Sequence, residues 1–256
     1  MPPRSPSAGF VSQNTIDELK ALGYLGRADV GSSTNVPETS LLPDPKDKIE
    51  EQNLLHMAMI ASEDGRSSGA RAALEKVLEL DPKIPTALRQ LGELELHAGD
   101  YTKAAEHLKH ARAVRPDDAM AAFFEGQALD AVGDLVGARE ALEASLKLIP
   151  SQFRVRLLLG QVYLGLKDPK AAEDQFEAAL LVQPQNAEAQ LWLARAQIAS
   201  GNFVEALRRL ELLSNSQPNN VEVFESLEQA YSGLDKKAEA EQAESRARAL
   251  RNNQRP

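Results

Sequence analysis

From residue 51 onward the small, apolar and turn-forming residues of this chain recur with one period. Pro82, Pro116, Pro150, Pro184 and Pro218 follow one another at intervals of 34 residues without an insertion. With each unit numbered from 1 to 34 and this proline at position 32, six units begin at residues 51, 85, 119, 153, 187 and 221. Position 20 is then alanine throughout, at Ala70, Ala104, Ala138, Ala172, Ala206 and Ala240. Position 7 reads Met57, Leu91, Glu125, Leu159, Leu193 and Leu227, and position 8 reads Ala58, Gly92, Gly126, Gly160, Ala194 and Glu228. Position 24 reads Leu74, Leu108, Leu142, Phe176, Leu210 and Glu244. At about 100° per residue, positions 4, 7, 8 and 11 share one stripe, so each unit predicts an amphipathic first helix packed on a second. Small residues at positions 8 and 20 let the two backbones approach. Near position 15, Gly65, Gly99, Gly133 and Gly201 tolerate the positive φ that ends a helix. The fourth unit has Lys167-Asp168-Pro169 there instead, where Asp168 can cap and Pro169 fits the first helical position.

This 34-residue helix-turn-helix pattern, with small residues where two helices touch and proline after the second, resembles the tetratricopeptide repeat. The resemblance implies an all-α, right-handed solenoid of six helix-turn-helix repeats over residues 46–251, each unit contacting only its neighbours. The sixth unit departs from the pattern, with Glu228 and Glu244 at core positions and Lys237 where an aromatic is usual. Its second helix keeps a narrow stripe of Ala240, Ala243, Ala247 and Leu250, flanked by Glu239, Glu241, Arg246 and Arg248. A polar outer face suits the last helix of a repeat array, so residues 236–251 are expected to be a cap and 252–256 a tail.

Residues 1–45 hold six prolines (Pro2, Pro3, Pro6, Pro37, Pro43 and Pro45) and six serines, a composition expected to leave a mostly disordered leader. Within it, Thr15-Ile16-Asp17-Glu18 has the form of a capping box and predicts a short helix over 16–22, closed by Gly23. No secretory signal is read at the start, where one Arg is followed by no apolar run. The stretch Asp17-Glu18-Leu19-Lys20-Ala21-Leu22-Gly23-Tyr24-Leu25-Gly26, then Leu42-Pro43-Asp44-Pro45-Lys46-Asp47-Lys48-Ile49, resembles the junction between enzyme and repeats in large bacterial sulfatase-like proteins. That resemblance implies the accessory repeat tail of such a hydrolase, positioning or oligomerising it. The family's Cys-x-Pro-x-Arg or Ser-x-Pro-x-Arg nucleophile motif is not in the sequence. The expected compartment follows: cytoplasmic for a free-standing chain, extracytoplasmic for a part of such a protein.

Composition narrows the chemistry. Of 256 residues, 43% are hydrophobic and 26% charged, which supports a folded domain. Lys+Arg 29 against Asp+Glu 38 gives a net charge of -9, which argues against nucleic acid as a partner. No window approaches the ~20 apolar residues of a membrane span. With Cys 0, disulfides, thiolate metal sites and a cysteine nucleophile drop out. Gly65-Arg66-Ser67-Ser68-Gly69 matches the G-x-S-x-G nucleophile elbow, but that motif needs a preceding strand, and here it falls where a repeat requires a turn. His107 and His110 lie three apart on one predicted helix, at positions 23 and 26, read as an outward face without the further ligands a metal needs. No enzymatic activity, metal or cofactor is expected.

The groove remains. Positions 2, 5, 9 and 12 of the first helices lie away from the core stripe, and in the tetratricopeptide family they line the concave surface. Here they include Leu55, Met59, Arg89, Glu93, Leu96, Met120, Phe123, Gln127, Arg154, Leu157, Gln161, Leu191 and Arg195. The expected function is therefore a non-catalytic scaffold that holds a peptide segment of a protein partner along this groove, with homo-oligomerisation left open. About half of the apolar set is expected to pack against the adjacent unit instead. Binding energy is expected to concentrate at Met120, Phe123, Leu157 and Leu191, with Arg154 and Arg195 beside them. The carboxylate clamp of chaperone-binding members is argued against, because its five positions read Arg89, Glu93, Phe124, Arg154 and Leu158. Glu93 would repel the carboxylate that such a clamp binds.

Overall fold

The computed structural model of the chain describes residues 45–253, and among these there are twelve α-helices and no strand. They pair in order: α1 (Pro45–Glu63) with α2 (Ser67–Leu80), α3 (Pro85–Ala98) with α4 (Tyr101–Val114), and α5 (Ala119–Ala131) with α6 (Leu135–Leu148). Then come α7 (Phe153–Gly165) with α8 (Pro169–Val182), α9 (Ala187–Ala199) with α10 (Phe203–Ser216), and α11 (Val221–Gly233) with α12 (Lys237–Asn253). Each helix packs on the helix before and the helix after it, and from α3 onward the first helices of neighbouring units also touch. This is the one-dimensional contact pattern of a solenoid. The leader of residues 1–44 and its short helix lie outside the described residues.

Within a unit the helices interlock through a knob and a hole. The position-20 alanines are fully buried from Ala70 to Ala206. Gly92, Gly126 and Gly160 do more than bring backbones together: each leaves the space that the position-24 side chain occupies. A Cβ on Gly92 would stand 2.5 Å from Leu108 Cγ, one on Gly126 2.6 Å from Leu142 Cγ, and one on Gly160 2.5 Å from Phe176 Cε1. Leu108, Leu142 and Phe176 are wholly buried as a result. The sixth unit abandons this device. Glu228 and Glu244 stand at the two positions, and together with Glu225, Arg248 and Arg251 they line a small charged cavity. Arg248 pairs with Glu244 at 2.6 Å, and Arg251 pairs with Glu225.

The turns follow local chemistry. Gly65, Gly99, Gly133 and Gly201 have φ between 72° and 85°. In the fourth unit Lys167 itself takes φ 64°, while Asp168 Oδ1 accepts from the Ala171 N–H at 3.1 Å and Pro169 opens α8. Asp235 does the same in the sixth unit at φ 57°. In three units position 34 caps the next first helix: Asp118 Oδ1 accepts from the N–H groups of Met120 and Ala121 at 3.0 Å, and Asn186 and Asn220 repeat the role, whereas Ile84 and Gln152 make no such bond. The Gly65–Gly69 segment is the α1–α2 turn and the start of α2, with a helix before it.

Candidate binding cleft

The first helices α3, α5 and α7, together with the loops before α7 and α9, enclose a cleft of about 980 Å³. Met120, Phe123, Gln127, Arg154, Leu157 and Gln161, all expected from their repeat positions, line it together with Leu96. The structure divides these residues by depth. Met120 at position 2 is 40% exposed and Arg154 is exposed, whereas Gln127 and Gln161 at position 9 are half-buried.

Position 5 is where the apolar set packs against the adjacent unit. Phe123, Leu157 and Leu191 are only 7%, 8% and 5% exposed. Phe123 packs with Leu142, Val155 and Leu159, Leu157 with Phe176 and Leu193, and Leu191 with Leu210 and Val223. These side chains stitch one unit to the next. Phe123 and Leu157 show the cleft only an edge, and Leu191 is a core residue. The physical reason is that position 5 faces the neighbouring unit's first helix, and a large apolar side chain gains more from that contact than from water.

The charged candidates are mostly occupied. Arg89 pairs with Glu93 and reaches Asp118 at 3.3 Å. Arg195 lies 4.8 Å over the Trp192 ring and pairs with Glu222 at 3.0 Å. Leu55 is half-buried against the first unit's core, and Met59 is 45% exposed on α1, apart from the cleft. Sequence positions did not single out the loop residues of the cleft, Gln152, Gln183 and Asn186, nor His97 at the end of α3. Their signal was weak, since they fall where any polar loop residue is tolerated.

Two buried carboxylates sit outside the cleft. Glu95 is 2% exposed, with His107 Nδ1 2.7 Å from its Oε2 and Arg71 3.5 Å from its Oε1. Position 23 therefore faces inward here, which corrects the reading of His107 as outward. Its partner is twelve residues away on another helix. Glu125 is 3% exposed with Arg112 Nε at 2.9 Å, yet burial outweighs that cation and pushes the carboxyl above its ordinary range. Tyr163 donates to Glu143 at 2.6 Å, and burial together with that bond holds its hydroxyl up at about 12. Among the described residues no group of three or more His, Asp or Glu stands where it could hold a metal. Nor is any of their helices long and apolar enough to cross a membrane.

Models of the tetratricopeptide repeat match residues 55–113, 98–153 and 164–231. No curated protein sequence matches the chain. Among solved structures, a tetratricopeptide repeat protein from Parabacteroides merdae is similar over 81% of each chain, with 18% identity and a TM-score of 0.69. The MamA protein aligns with 67% of this chain and 93% of its own, with 22% identity and a TM-score of 0.63. YrrB, described as a TPR protein with an unusual peptide-binding site, aligns with 71% of this chain and 94% of its own, with 17% identity and a TM-score of 0.62. At these identities the neighbours speak for the fold. Repeat period, helix pairing and matched models lead to one conclusion: the chain belongs to the tetratricopeptide repeat family, whose members serve generally as non-catalytic scaffolds that bind other proteins.

Proposed function

We propose that this chain holds a peptide segment of a protein partner in the cleft along α3, α5 and α7. The observation that carries this reading is the combination, on one surface, of exposed Met120, an exposed Arg154 that makes no ion pair among the described residues, and the amides of Gln127 and Gln161. An exposed thioether, a free guanidinium and hydrogen-bonding amides beside an apolar edge are the materials of a peptide site. Phe123 and Leu157 support the floor, and the binding contribution falls to the residues above them.

Selection from a random peptide display library on the full chain tests this. Enriched peptides are expected to lose about fivefold or more in affinity to Met120→Ala and to Arg154→Ala, with helical content unchanged because both side chains are exposed. Peptides that bind both variants as well as the original chain would place the site elsewhere.

The reading as the repeat tail of a sulfatase-like hydrolase rests on the sequence of residues 17–49, and with it an extracytoplasmic location. It is tested by whether the coding frame runs upstream into a catalytic domain.

A further inference from the structure

Position 2 of three successive units supplies Met120, Arg154 and Glu188, and all three line the same cleft. One repeat apart, the row thus reads apolar, cationic, anionic. Neither charge is in an ion pair among the described residues, although Glu222, next in the row, is held by Arg195. Deeper in the cleft, position 9 of the third and fourth units supplies Gln127 and Gln161. Other cleft amides are engaged, Gln152 to Ser145 Oγ at 3.1 Å and Asn186 to Gln183 at 3.0 Å. No side-chain hydrogen bond within the chain engages Gln127 or Gln161 among the described residues.

We infer that the cleft takes an extended segment bearing an apolar, an acidic and a basic side chain in that linear order, over Met120, Arg154 and Glu188. The inference rests on the cleft reading above. Its first ground is charge complementarity: a free guanidinium and a free carboxylate at equivalent positions of adjacent units match an acid and a base spaced by one repeat. The second is the amide pair. A side-chain amide both donates and accepts, and an extended main chain offers it unpaired N–H and C=O groups, whereas a helix has spent its own internally. Spacing follows from packing, because α5 touches α7 and α7 touches α9. Helices in contact lie roughly 8–10 Å apart, which is about three residues of extended chain at ~3.3 Å each. The segment is then Leu-x-x-Glu-x-x-Lys in character, or its reverse if the chain runs the other way.

The test uses immobilised, end-blocked peptides of one composition and different order, so that net charge cannot decide the outcome. Leu-Ser-Ser-Glu-Ser-Ser-Lys and its reverse are compared with Leu-Ser-Ser-Lys-Ser-Ser-Glu and its reverse at low salt. The full chain is expected to be retained about threefold or more by the first pair over the second, a range set by two solvent-exposed ion pairs. The double exchange Arg154→Glu with Glu188→Arg keeps the protein's charge and is expected to invert that preference. Equal retention of both orders, or an order preference that the exchange leaves in place, overturns the inference while the cleft remains a peptide site. Retention unaffected by Gln161→Trp, which fills the cleft, overturns both. Self-association of the chain that competes with the peptides would make a second copy the occupant and also overturn the inference.

Discussion

At the scale of single residues, the fold depends on a few side chains whose neighbours leave no choice. Gly160 faces the wholly buried ring of Phe176, and a Cβ there would come within 2.5 Å of it. Gly160→Ala is expected to cost about 1–3 kcal/mol in urea unfolding, despite the better helix propensity of alanine, because the ring has nowhere to move. Glu125 gives a pH-dependent counterpart. Its folded carboxyl titrates above the ordinary value of 4.5, so its contribution to stability is whole below that value and is lost as pH rises through the folded pKa. Glu125→Gln has no such loss. The stability of the variant minus that of the original chain should therefore climb as pH is raised from about 4 toward 7, measured by denaturant midpoints, whatever constant offset Arg112 adds.

At the scale of the element, several helices begin and end by local chemistry that recurs along the chain. Asp118 satisfies two N–H groups at the start of α5 and also meets Arg89. Asp118→Ala is expected to lower stability by about 1–2 kcal/mol by thermal or urea unfolding, with no change in helical content at low temperature. Such caps were legible in the sequence at Asp168, since an acidic residue directly before a proline in a turn has few other readings. The turn glycines were legible in the same way. The deeper half of the helix pair was less so, because the hole at Gly92, Gly126 and Gly160 becomes visible only once the partner knob sixteen positions later is placed against it.

At the scale of the whole repeat domain, stability is a chain of nearest-neighbour contacts, and its end must be closed. In α12 Ala240, Ala243, Ala247 and Leu250 are buried while the rest of the helix is polar. A chain ending at Asp235 would uncover Val223, Leu227 and Ala230 on α11. It is expected to show a lower thermal midpoint and concentration-dependent aggregation by light scattering, while retaining helical circular dichroism from the remaining units.

The sequence alone determined the period, the helix pairing and the solenoid, since these depend on residue types at fixed spacing within one unit, written six times. It also placed Met120, Gln127, Arg154 and Gln161 on a shared surface. Tertiary structure alone decided which members of that surface were spent on holding neighbouring units together, as Phe123, Leu157 and Leu191 are, and which remained free. It likewise gave His107 its partner Glu95 and, among the described residues, left Arg154 and Glu188 without an ion pair. The physical reason is that burial and pairing belong to two surfaces at once: a repeat position states which way a side chain points, and only the adjacent unit determines what it meets there.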